Sequence, residues 1–161
     1  MSKGVFYDLG SGTGKGILAA SLCFPFEKCS GIEFLEGLNN IAQEMINQYN
    51  ETFPEIFETN KKVFENFEKT PSLFCSQGDF LNHTYEDASL ILANSTCFTS
   101  ELMASIGAKL ELECKPGTIA VTFSKELQGL SKDWEIRKPF KRLMSWGIAS
   151  IYVHKRKTKS E

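Results

Sequence analysis

Three glycines recur at alternate positions directly after a short apolar run, in the stretch Val5-Phe6-Tyr7-Asp8-Leu9-Gly10-Ser11-Gly12-Thr13-Gly14. An apolar run of this length is typical of a buried strand. Glycines that follow such a strand let the backbone pass close to a bound ligand, because they carry no Cβ. The stretch therefore predicts a strand, a ligand-binding turn and a helix over residues 11–22.

The spacing of these glycines separates three kinds of binding loop. A dinucleotide fingerprint places its third glycine where this chain has Lys15. A phosphate-binding P-loop ends in Gly-Lys-Ser/Thr, which does not follow Gly14. The alternation instead suits the methionine tail of a cofactor without phosphate, so we expect S-adenosylmethionine to bind here, with S-adenosylhomocysteine as its product. A tight turn that binds no ligand remains the alternative.

Acidic residues follow two further apolar runs. Glu33 ends the second predicted strand, where the carboxyl ends of central strands form the ligand crevice of a doubly wound sheet, and its carboxylate can accept both ribose hydroxyls. Asp79 and Phe80 follow the third predicted strand and can supply an acceptor for the adenine amino group and a ring to lie against the base. A surface acid at Glu33 and an ordinary turn at Gly78-Asp79 remain the alternatives.

The segment Asn94-Ser95-Thr96-Cys97-Phe98 leaves the fourth predicted strand, where an acceptor has to meet the donor methyl group. Methyltransferases that act on the adenine amine place Pro-Pro and an aromatic residue after an Asn or Asp here. Ser95-Thr96 does not supply that pattern, so methylation of a base is disfavoured. Direct transfer also needs no covalent nucleophile, and neither histidine is near the segment in sequence. We expect the two histidines, His83 and His154, to be solvent-facing or structural.

A lysine acceptor has to lose its proton before it can attack, and its ordinary pKa is about 10.4. Desolvation in an apolar aromatic channel lowers that pKa. Phe98 and Trp146 are candidate walls of such a channel, since aromatic faces also stabilise cations. Core packing of either ring is an equally good explanation on local sequence grounds.

Composition limits the classes of partner. A chain of 161 residues is expected to form one domain. Its formal net charge of -2 gives no overall attraction to nucleic acid, so strong intrinsic binding to nucleic acid is not expected. The one basic cluster, Lys155-Arg156-Lys157 with Lys159, is expected to be a solvated, frayed C-terminal tail.

The five cysteines form no Cys-x-x-Cys pair and no metal-ligand cluster, and most lie inside apolar runs. We expect them to be small core residues and expect no metal. The chain shows no secretory segment and no apolar run of transmembrane length, which predicts an intracellular protein with no membrane contact. The cysteines are Cys23, Cys29, Cys75, Cys97 and Cys114.

Strand-like and helix-like segments alternate along the chain, which predicts an α/β fold with a mostly parallel sheet and helices on both faces. No helical segment separates the last two predicted strands, so they should form an antiparallel hairpin. That ending is typical of the seven-stranded, Rossmann-like sheet of class I methyltransferases. The predicted strands lie near residues 5–9, 29–34, 73–76, 88–93, 118–124, 134–142 and 149–155.

Apolar residues at helical spacing over residues 35–49 predict an amphipathic helix. The pattern resumes after Pro54 and predicts a second helical stretch, whose aromatic residues either cover the sheet or form a partner surface. Ser100-Glu101 predicts the start of another helix, with a capping residue and an acid in the first turn.

The ordered set of Asp8 to Gly14, Gly31-Ile32-Glu33, Gly78-Asp79-Phe80, Asn94 with Phe98, and Ser145-Trp146-Gly147 resembles the disruptor-of-telomeric-silencing family of nucleosomal histone lysine methyltransferases. The resemblance covers nearly the whole chain, and Asn94, Phe98 and Trp146 are its specific part. It implies that Asn94 orients donor and acceptor and that Phe98 and Trp146 line a lysine channel. The residues implied to hold the cofactor are Asp8, Gly10, Ser11, Gly12, Thr13, Gly14, Lys15, Glu33, Asp79, Phe80 and Asn94.

The chain departs from the family pattern in three ways. Ser95 stands where the family carries a second asparagine, and Ile151 replaces an expected tyrosine. The family also has an N-terminal lobe; we expect this lobe to lie outside this sequence or to come from a partner chain, or else the acceptor site to be more open. A methyltransferase for RNA or a small molecule, and a catalytically silent binding subunit, remain alternatives to a histone enzyme. The resemblance implies a nuclear location, and the alternatives imply a cytoplasmic one.

Overall fold

The computed structural model describes residues 4–158, and the chain divides into two compact units, Met1–Phe80 and Leu81–Glu161. In the first unit, strands and helices alternate, as expected for a parallel sheet. Its elements are β1 (Val5–Leu9), α1 (Lys15–Cys23), β2 (Lys28–Glu33), α2 (Glu36–Thr59) and β3 (Ser72–Gln77).

The sheet of the first unit is parallel, with β2 between β1 and β3. Its register places Asp8 of β1 opposite Gly31 of β2, and Gly31 opposite Cys75 of β3. Paired residues point to the same face of a sheet, so these three positions form one row. The strand predicted at residues 5–9 is confirmed, and those at 29–34 and 73–76 differ only at their ends.

Helix α1 begins at Lys15, so the helix predicted over residues 11–22 began four residues too early. The physical reason is the backbone conformation of the preceding segment. Gly12 and Gly14 have φ values of 55° and 81°, in the left-handed region that a right-handed helix does not allow. Residues 10–14 therefore form a turn, which we call the glycine loop.

Helix α2 is continuous from Glu36 to Thr59, with Pro54 inside it. The prediction of a separate helical stretch after Pro54 was therefore wrong. The helix persists because its inward face is buried on both sides of the proline, and this packing outweighs the missing backbone hydrogen bond. The buried residues are Asn39, Ala42, Ile46, Tyr49, Phe53 and Phe57.

The aromatic residues beyond α2 pack back onto that helix. Phe64 lies with its ring centroid 5.4 Å from Phe53 and 5.6 Å from Phe57, and Phe67 lies 5.5 Å from Phe64. Tyr49 stacks on Phe53 at 4.6 Å. Offset and edge-to-face pairs at these distances are favourable, so the turns over residues 60–66 are attached by their rings.

The second unit combines a parallel pair of strands with antiparallel ones. Strand β4 pairs with β5 in parallel, and β8 pairs in antiparallel fashion with β5, β6 and β7. The predicted C-terminal hairpin is thus confirmed as β7 and β8. The elements are β4 (Ala88–Ala93), α3 (Ser100–Glu113), β5 (Ile119–Phe123), β6 (Trp134–Ile136), β7 (Phe140–Met144) and β8 (Gly147–Arg156), with a short 3₁₀ helix at Ser95–Cys97. A second 3₁₀ helix, Phe80–Asn82, begins at the last residue of the first unit.

The strand predicted over residues 134–142 is divided into β6 and β7, so residues 4–158 contain eight strands rather than seven. Residues 137–139, between the two pieces, include Pro139, which has no N–H for a strand ladder. Each piece pairs with a different part of the long strand β8.

Helix α3 is capped by Thr99 rather than by Ser100. The Thr99 hydroxyl oxygen accepts the backbone N–H of Leu102 at 3.2 Å, and Ser100 is the first helical residue. The acid predicted in the first turn is Glu101, as expected. Two adjacent hydroxyl residues satisfy the capping pattern equally well in sequence, so the backbone geometry decides between them.

His154 is structural. It is fully buried on β8, where its Nε2 accepts the backbone N–H of Leu127 at 3.3 Å and its Nδ1 lies 3.2 Å from the carbonyl oxygen of Ala120. Burial lowers the pKa of the ring, which favours the neutral form with the proton on Nδ1.

The basic residues near the C-terminus are not frayed, so the prediction of a solvated tail was wrong for Lys155-Arg156-Lys157. Lys155 and Arg156 belong to β8, and the Arg156 guanidinium donates to the carbonyl oxygen of Glu111 at 2.5 Å and lies 3.4 Å from its carboxylate. The backbone N–H of Lys157 donates to the carbonyl oxygen of Asp133. Strand pairing orders this segment; Lys159 lies outside the described residues.

Three of the five cysteines, Cys29, Cys75 and Cys114, are buried, as expected for small core residues, whereas Cys23 and Cys97 are exposed. Among residues 4–158, no cluster of three or more His, Cys, Asp or Glu side chains is arranged to hold a metal ion. In the same part of the chain, none of the helices has the length and apolarity needed to cross a bilayer.

Candidate functional site

The glycine loop lies at the carboxyl end of β1 and is attached to the neighbouring strand β2. The backbone N–H groups of Gly10 and Ser11 both donate to the carbonyl oxygen of Ile32, at 2.9 and 3.1 Å. Gly12, with φ of 55°, has no atom within 4 Å of the place where a Cβ would stand. The loop therefore faces open space at its centre, and only glycine holds this conformation without strain.

The Glu33 carboxylate fixes this loop from the end of β2. One oxygen accepts the backbone N–H of Gly12 at 2.7 Å, and the other accepts the N–H of Leu35 at 2.9 Å. Glu33 is only 7% exposed, so the alternative of a surface acid is wrong. Each carboxylate oxygen can accept two hydrogen bonds, which leaves acceptor capacity beside the open space at Gly12.

Asp8 places a second carboxyl group in the first unit, and this group is not easily ionised. It is 5% exposed, and its burial, followed by the charge of Glu33, raises its pKa from 3.8 to about 7. A buried carboxyl group with such a pKa is close to half ionised at neutral pH. A cationic ligand beside it would favour the ionised form, which makes Asp8 a suitable residue for a cation site.

A chain of polar side chains links the glycine loop to β3 and α2. The Ser11 hydroxyl lies 3.5 Å from the Cys75 sulfur, and the Cys75 thiol donates to the Asn39 amide oxygen at 3.1 Å. This series of side chains passes strand β2 at Gly31. A Cβ added at Gly31 would lie 2.5 Å from the Ser11 hydroxyl and 2.4 Å from a methyl group of Ile17. Gly31 thus provides the space that Ser11 occupies.

Gly31→Ala is expected to displace Ser11 and Ile17, because none of these contacts can be kept at van der Waals distance. Overpacking of this kind costs about 1 to 3 kcal/mol. We expect that loss in the free energy of unfolding, measured in urea, together with weaker ligand binding at the glycine loop. Gly37→Ala is a matched control, because nothing lies within 4 Å of its Cβ position. Equal stability of the two variants would contradict the close-packing argument.

The remaining residues predicted for the cofactor in this unit lie near the same edge of the sheet. The N–H of Gly78 donates to the carbonyl oxygen of Glu33 at 2.9 Å, which places the turn before Asp79 and Phe80 beside the end of β2. Asp79 is exposed, whereas Phe80 is 9% exposed. Thr13 is half-buried, and Lys15 is exposed as the first residue of α1.

In the second unit, residues 94–98, which we call the reaction loop, follow β4. Asn94 is exposed, and its amide oxygen accepts a hydrogen bond from the Thr96 hydroxyl at 3.0 Å. Ser95 is fully buried and its hydroxyl donates to the carbonyl oxygen of Phe123 at 2.6 Å. Ser95 is therefore anchored to the end of β5, as a structural residue would be.

The two aromatic candidates of the second unit have different surroundings. Phe98 is half-buried, and its carbonyl oxygen accepts a hydrogen bond from the Lys125 ammonium. Trp146 lies in the two-residue turn between β7 and β8 and is 52% exposed, so core packing does not explain it. Ile151, which stands for the expected tyrosine, is buried and pairs with Phe123.

Sequence reasoning missed several residues that hold these loops. Asn39 and Cys75 resemble ordinary helix and strand residues in sequence, and only the fold brings them to Ser11. Sequence reasoning also missed Ser124. In the structure its φ is 65°, which is unusual for a residue other than glycine. No local pattern predicts that conformation, because β5 and the reaction loop are joined by contacts across 28 residues.

Comparison with known families gives a match over most of the chain. A family model described as "Histone methylation protein DOT1" matches residues 1–144. The histone-lysine N-methyltransferase of Caenorhabditis elegans described as H3 lysine-79 specific is 33% identical over 138 residues. These residues make up 83% of this chain and 13% of that protein, so the chain spans a small part of its relative.

Two solved structures of methyltransferases share the fold of this chain. An RNA methyltransferase from Salinibacter ruber in complex with S-adenosyl-L-homocysteine has a TM-score of 0.66 at 17% identity, covering 97% of this chain and 82% of that one. The magnesium protoporphyrin IX methyltransferase of Synechocystis, with S-adenosylmethionine bound, has a TM-score of 0.61 at 10% identity, covering 96% and 70%. The predicted class I, Rossmann-like fold is thereby confirmed.

Proposed function

Because the chain belongs to the DOT1 family of histone methylation proteins, we propose that it transfers a methyl group from S-adenosylmethionine to a histone lysine. The relative described as specific for lysine-79 of histone H3 makes that lysine the first acceptor to test. A nucleosomal substrate and a nuclear, chromatin-associated location follow from the same proposal.

The main observation in support of S-adenosylmethionine binding is the buried Glu33 carboxylate at the open face of the glycine loop. It holds the N–H of Gly12 and keeps free acceptor capacity for a ribose. Asp8 adds a carboxyl group that a cationic cofactor would ionise. Asp79 and Phe80 would hold the adenine, and the loop residues Gly10, Ser11, Thr13, Gly14 and Lys15 would surround the rest.

When bound, S-adenosylmethionine supplies an electrophilic methyl group. For the lysine, we assign Asn94 to its orientation, and Phe98 and Trp146 to the walls that exclude water from its amine. Removal of water lowers the pKa of a lysine amine and so increases the fraction that can attack. Trp146 is exposed enough to meet a partner.

The proposal is tested by incubating the full chain with methyl-labelled S-adenosylmethionine and recombinant nucleosomes. We expect label on histone H3, and no label on nucleosomes whose H3 carries arginine in place of lysine-79. Protein-free RNA serves as the competing acceptor. Label on RNA alone, or no label with cofactor bound, would contradict a histone lysine methyltransferase and favour one of the alternatives.

Asn94→Ala is expected to reduce the rate of methyl transfer by about a hundredfold, because an orienting amide in a reaction site is commonly worth that much. Asn50→Ala is the matched control, since Asn50 is an exposed asparagine on α2. The measurement is the initial rate on nucleosomes at saturating cofactor. If the rate of Asn94→Ala were within twofold of that of the control, Asn94 would have no role in methyl transfer.

A further inference from the structure

We infer that Thr96, held by Ser124, is the positioning residue for the Asn94 carboxamide. The inference rests on the proposed function, because it assigns the support of the amide that orients the reactants. Neither residue was among the site residues that the sequence predicted. The contacts are the Thr96 hydroxyl to the Asn94 amide oxygen at 3.0 Å, and the Thr96 and Ser124 hydroxyl oxygens 3.2 Å apart.

The direction of these hydrogen bonds follows from the protons available. Thr96 has one hydroxyl proton and donates it to the amide oxygen of Asn94. Ser124 must therefore donate its own proton to the Thr96 oxygen. The result is a directed chain in which Ser124 orients Thr96, and Thr96 holds the Asn94 oxygen. The amide nitrogen of Asn94 then keeps both protons free to donate.

The backbone around Ser124 shows what this arrangement requires. Ser124 has φ of 65°, in the left-handed region, and its N–H donates to the carbonyl oxygen of Ser150 at 2.7 Å. Strain of this kind persists only where the surroundings over-determine the conformation. The neighbouring contacts do so, because Ser95 donates to the Phe123 carbonyl oxygen and Lys125 to that of Phe98.

The turn at residues 123–125 and the reaction loop are thus joined by three side-chain contacts. Two of them end on backbone carbonyl oxygens and fix the course of the loop. The third, between Thr96 and Ser124, is the one that reaches Asn94. Thr96 therefore acts on the orientation of one side chain, whereas Ser95 and Lys125 hold the loop as a whole.

The test compares Thr96→Val with Thr96→Ser in nucleosome methylation. Valine keeps the shape and removes the hydroxyl, so kcat should fall by about tenfold, while KM for S-adenosylmethionine changes by less than about threefold. Serine should restore most of the rate. Ser124→Ala should reduce kcat in the same way, and its combination with Thr96→Val should add little, because both act through one chain. Thr59→Val is the control, since its exposed hydroxyl donates to the backbone of α2.

A second readout needs no acceptor. In ¹⁵N NMR spectra, the side-chain amide signal of Asn94 should shift in Thr96→Val and stay in place in Thr59→Val. An unshifted signal, or a Thr96→Val enzyme as fast as wild type while Asn94→Ala is inactive, would overturn the inference and leave the proposed function intact. Absence of methyl transfer by the wild-type chain would overturn the proposed function and this inference with it.

Discussion

Asp8→Asn is expected to stabilise the cofactor-free protein at pH 8 by about 2 to 4 kcal/mol. The pKa of Asp8 is about 7 in the folded chain against an ordinary value of 3.8, so the fold favours the protonated form. Each unit of difference corresponds to about 1.4 kcal/mol, and the buried polar amide offsets part of the gain. The measurement is the free energy of unfolding in urea as a function of pH.

The sign of the pH dependence follows from proton binding. Below about pH 4, Asp8 is protonated in both the folded and the unfolded protein, so its contribution to the free energy of unfolding is fully present. As the pH rises to about 7, the unfolded chain releases its proton while the folded chain still retains it, so the free energy of unfolding falls and that contribution is lost. The difference between Asp8→Asn and wild type should therefore grow from pH 4 to pH 7 and then level off. A difference that does not change with pH would contradict the burial of an ionisable group.

The same substitution should weaken cofactor binding, because the ionised carboxylate would attract the positive charges of S-adenosylmethionine. In wild type, affinity should increase with pH up to about 7, the pKa of the free protein. Asp8→Asn should bind more weakly at pH 8 and show little of this dependence. Asp133→Asn, which changes an exposed aspartate, is the control and should be within about 0.5 kcal/mol of wild type.

Glu33→Ala is expected to have the largest effect on cofactor binding. The carboxylate makes two hydrogen bonds to backbone N–H groups, at 2.7 Å to Gly12 and 2.9 Å to Leu35. Hydrogen bonds to a charged group contribute about 1.5 to 3 kcal/mol each. We expect a loss of about 2 to 4 kcal/mol in stability and a drop of about a hundredfold in affinity for S-adenosylhomocysteine, measured by calorimetry.

Two further variants separate the roles of this carboxylate. Glu33→Gln keeps one acceptor oxygen and replaces the other with a donor, so it should be intermediate in both measurements. Glu44→Ala removes an exposed acid from α2 and should leave both unchanged. If Glu33→Ala bound S-adenosylhomocysteine as tightly as wild type, the glycine loop would not be the cofactor site.

The local pattern of apolar residues was sufficient to predict the bounds of those elements that depend on a few adjacent residues. Strands β1 and β4 were predicted at their observed bounds, since short buried strands are continuous apolar runs. The beginning of α1 was missed, because glycines are compatible with both a helix and a turn until their φ values are known. The break at Pro139 was missed because strand pairing with β8 depends on residues far along the chain.

The amino-acid sequence by itself was enough to predict the glycine loop, the acid at Glu33 and the reaction loop, because each combines residue types that the proposed chemistry needs within a short stretch. Only the tertiary structure decided what these side chains do before a ligand arrives. Glu33 holds backbone N–H groups, burial raises the pKa of Asp8, and Thr96 meets Ser124. Burial and hydrogen-bond partners depend on packing between segments that are distant in sequence. The local spacing of residue types does not predict that packing.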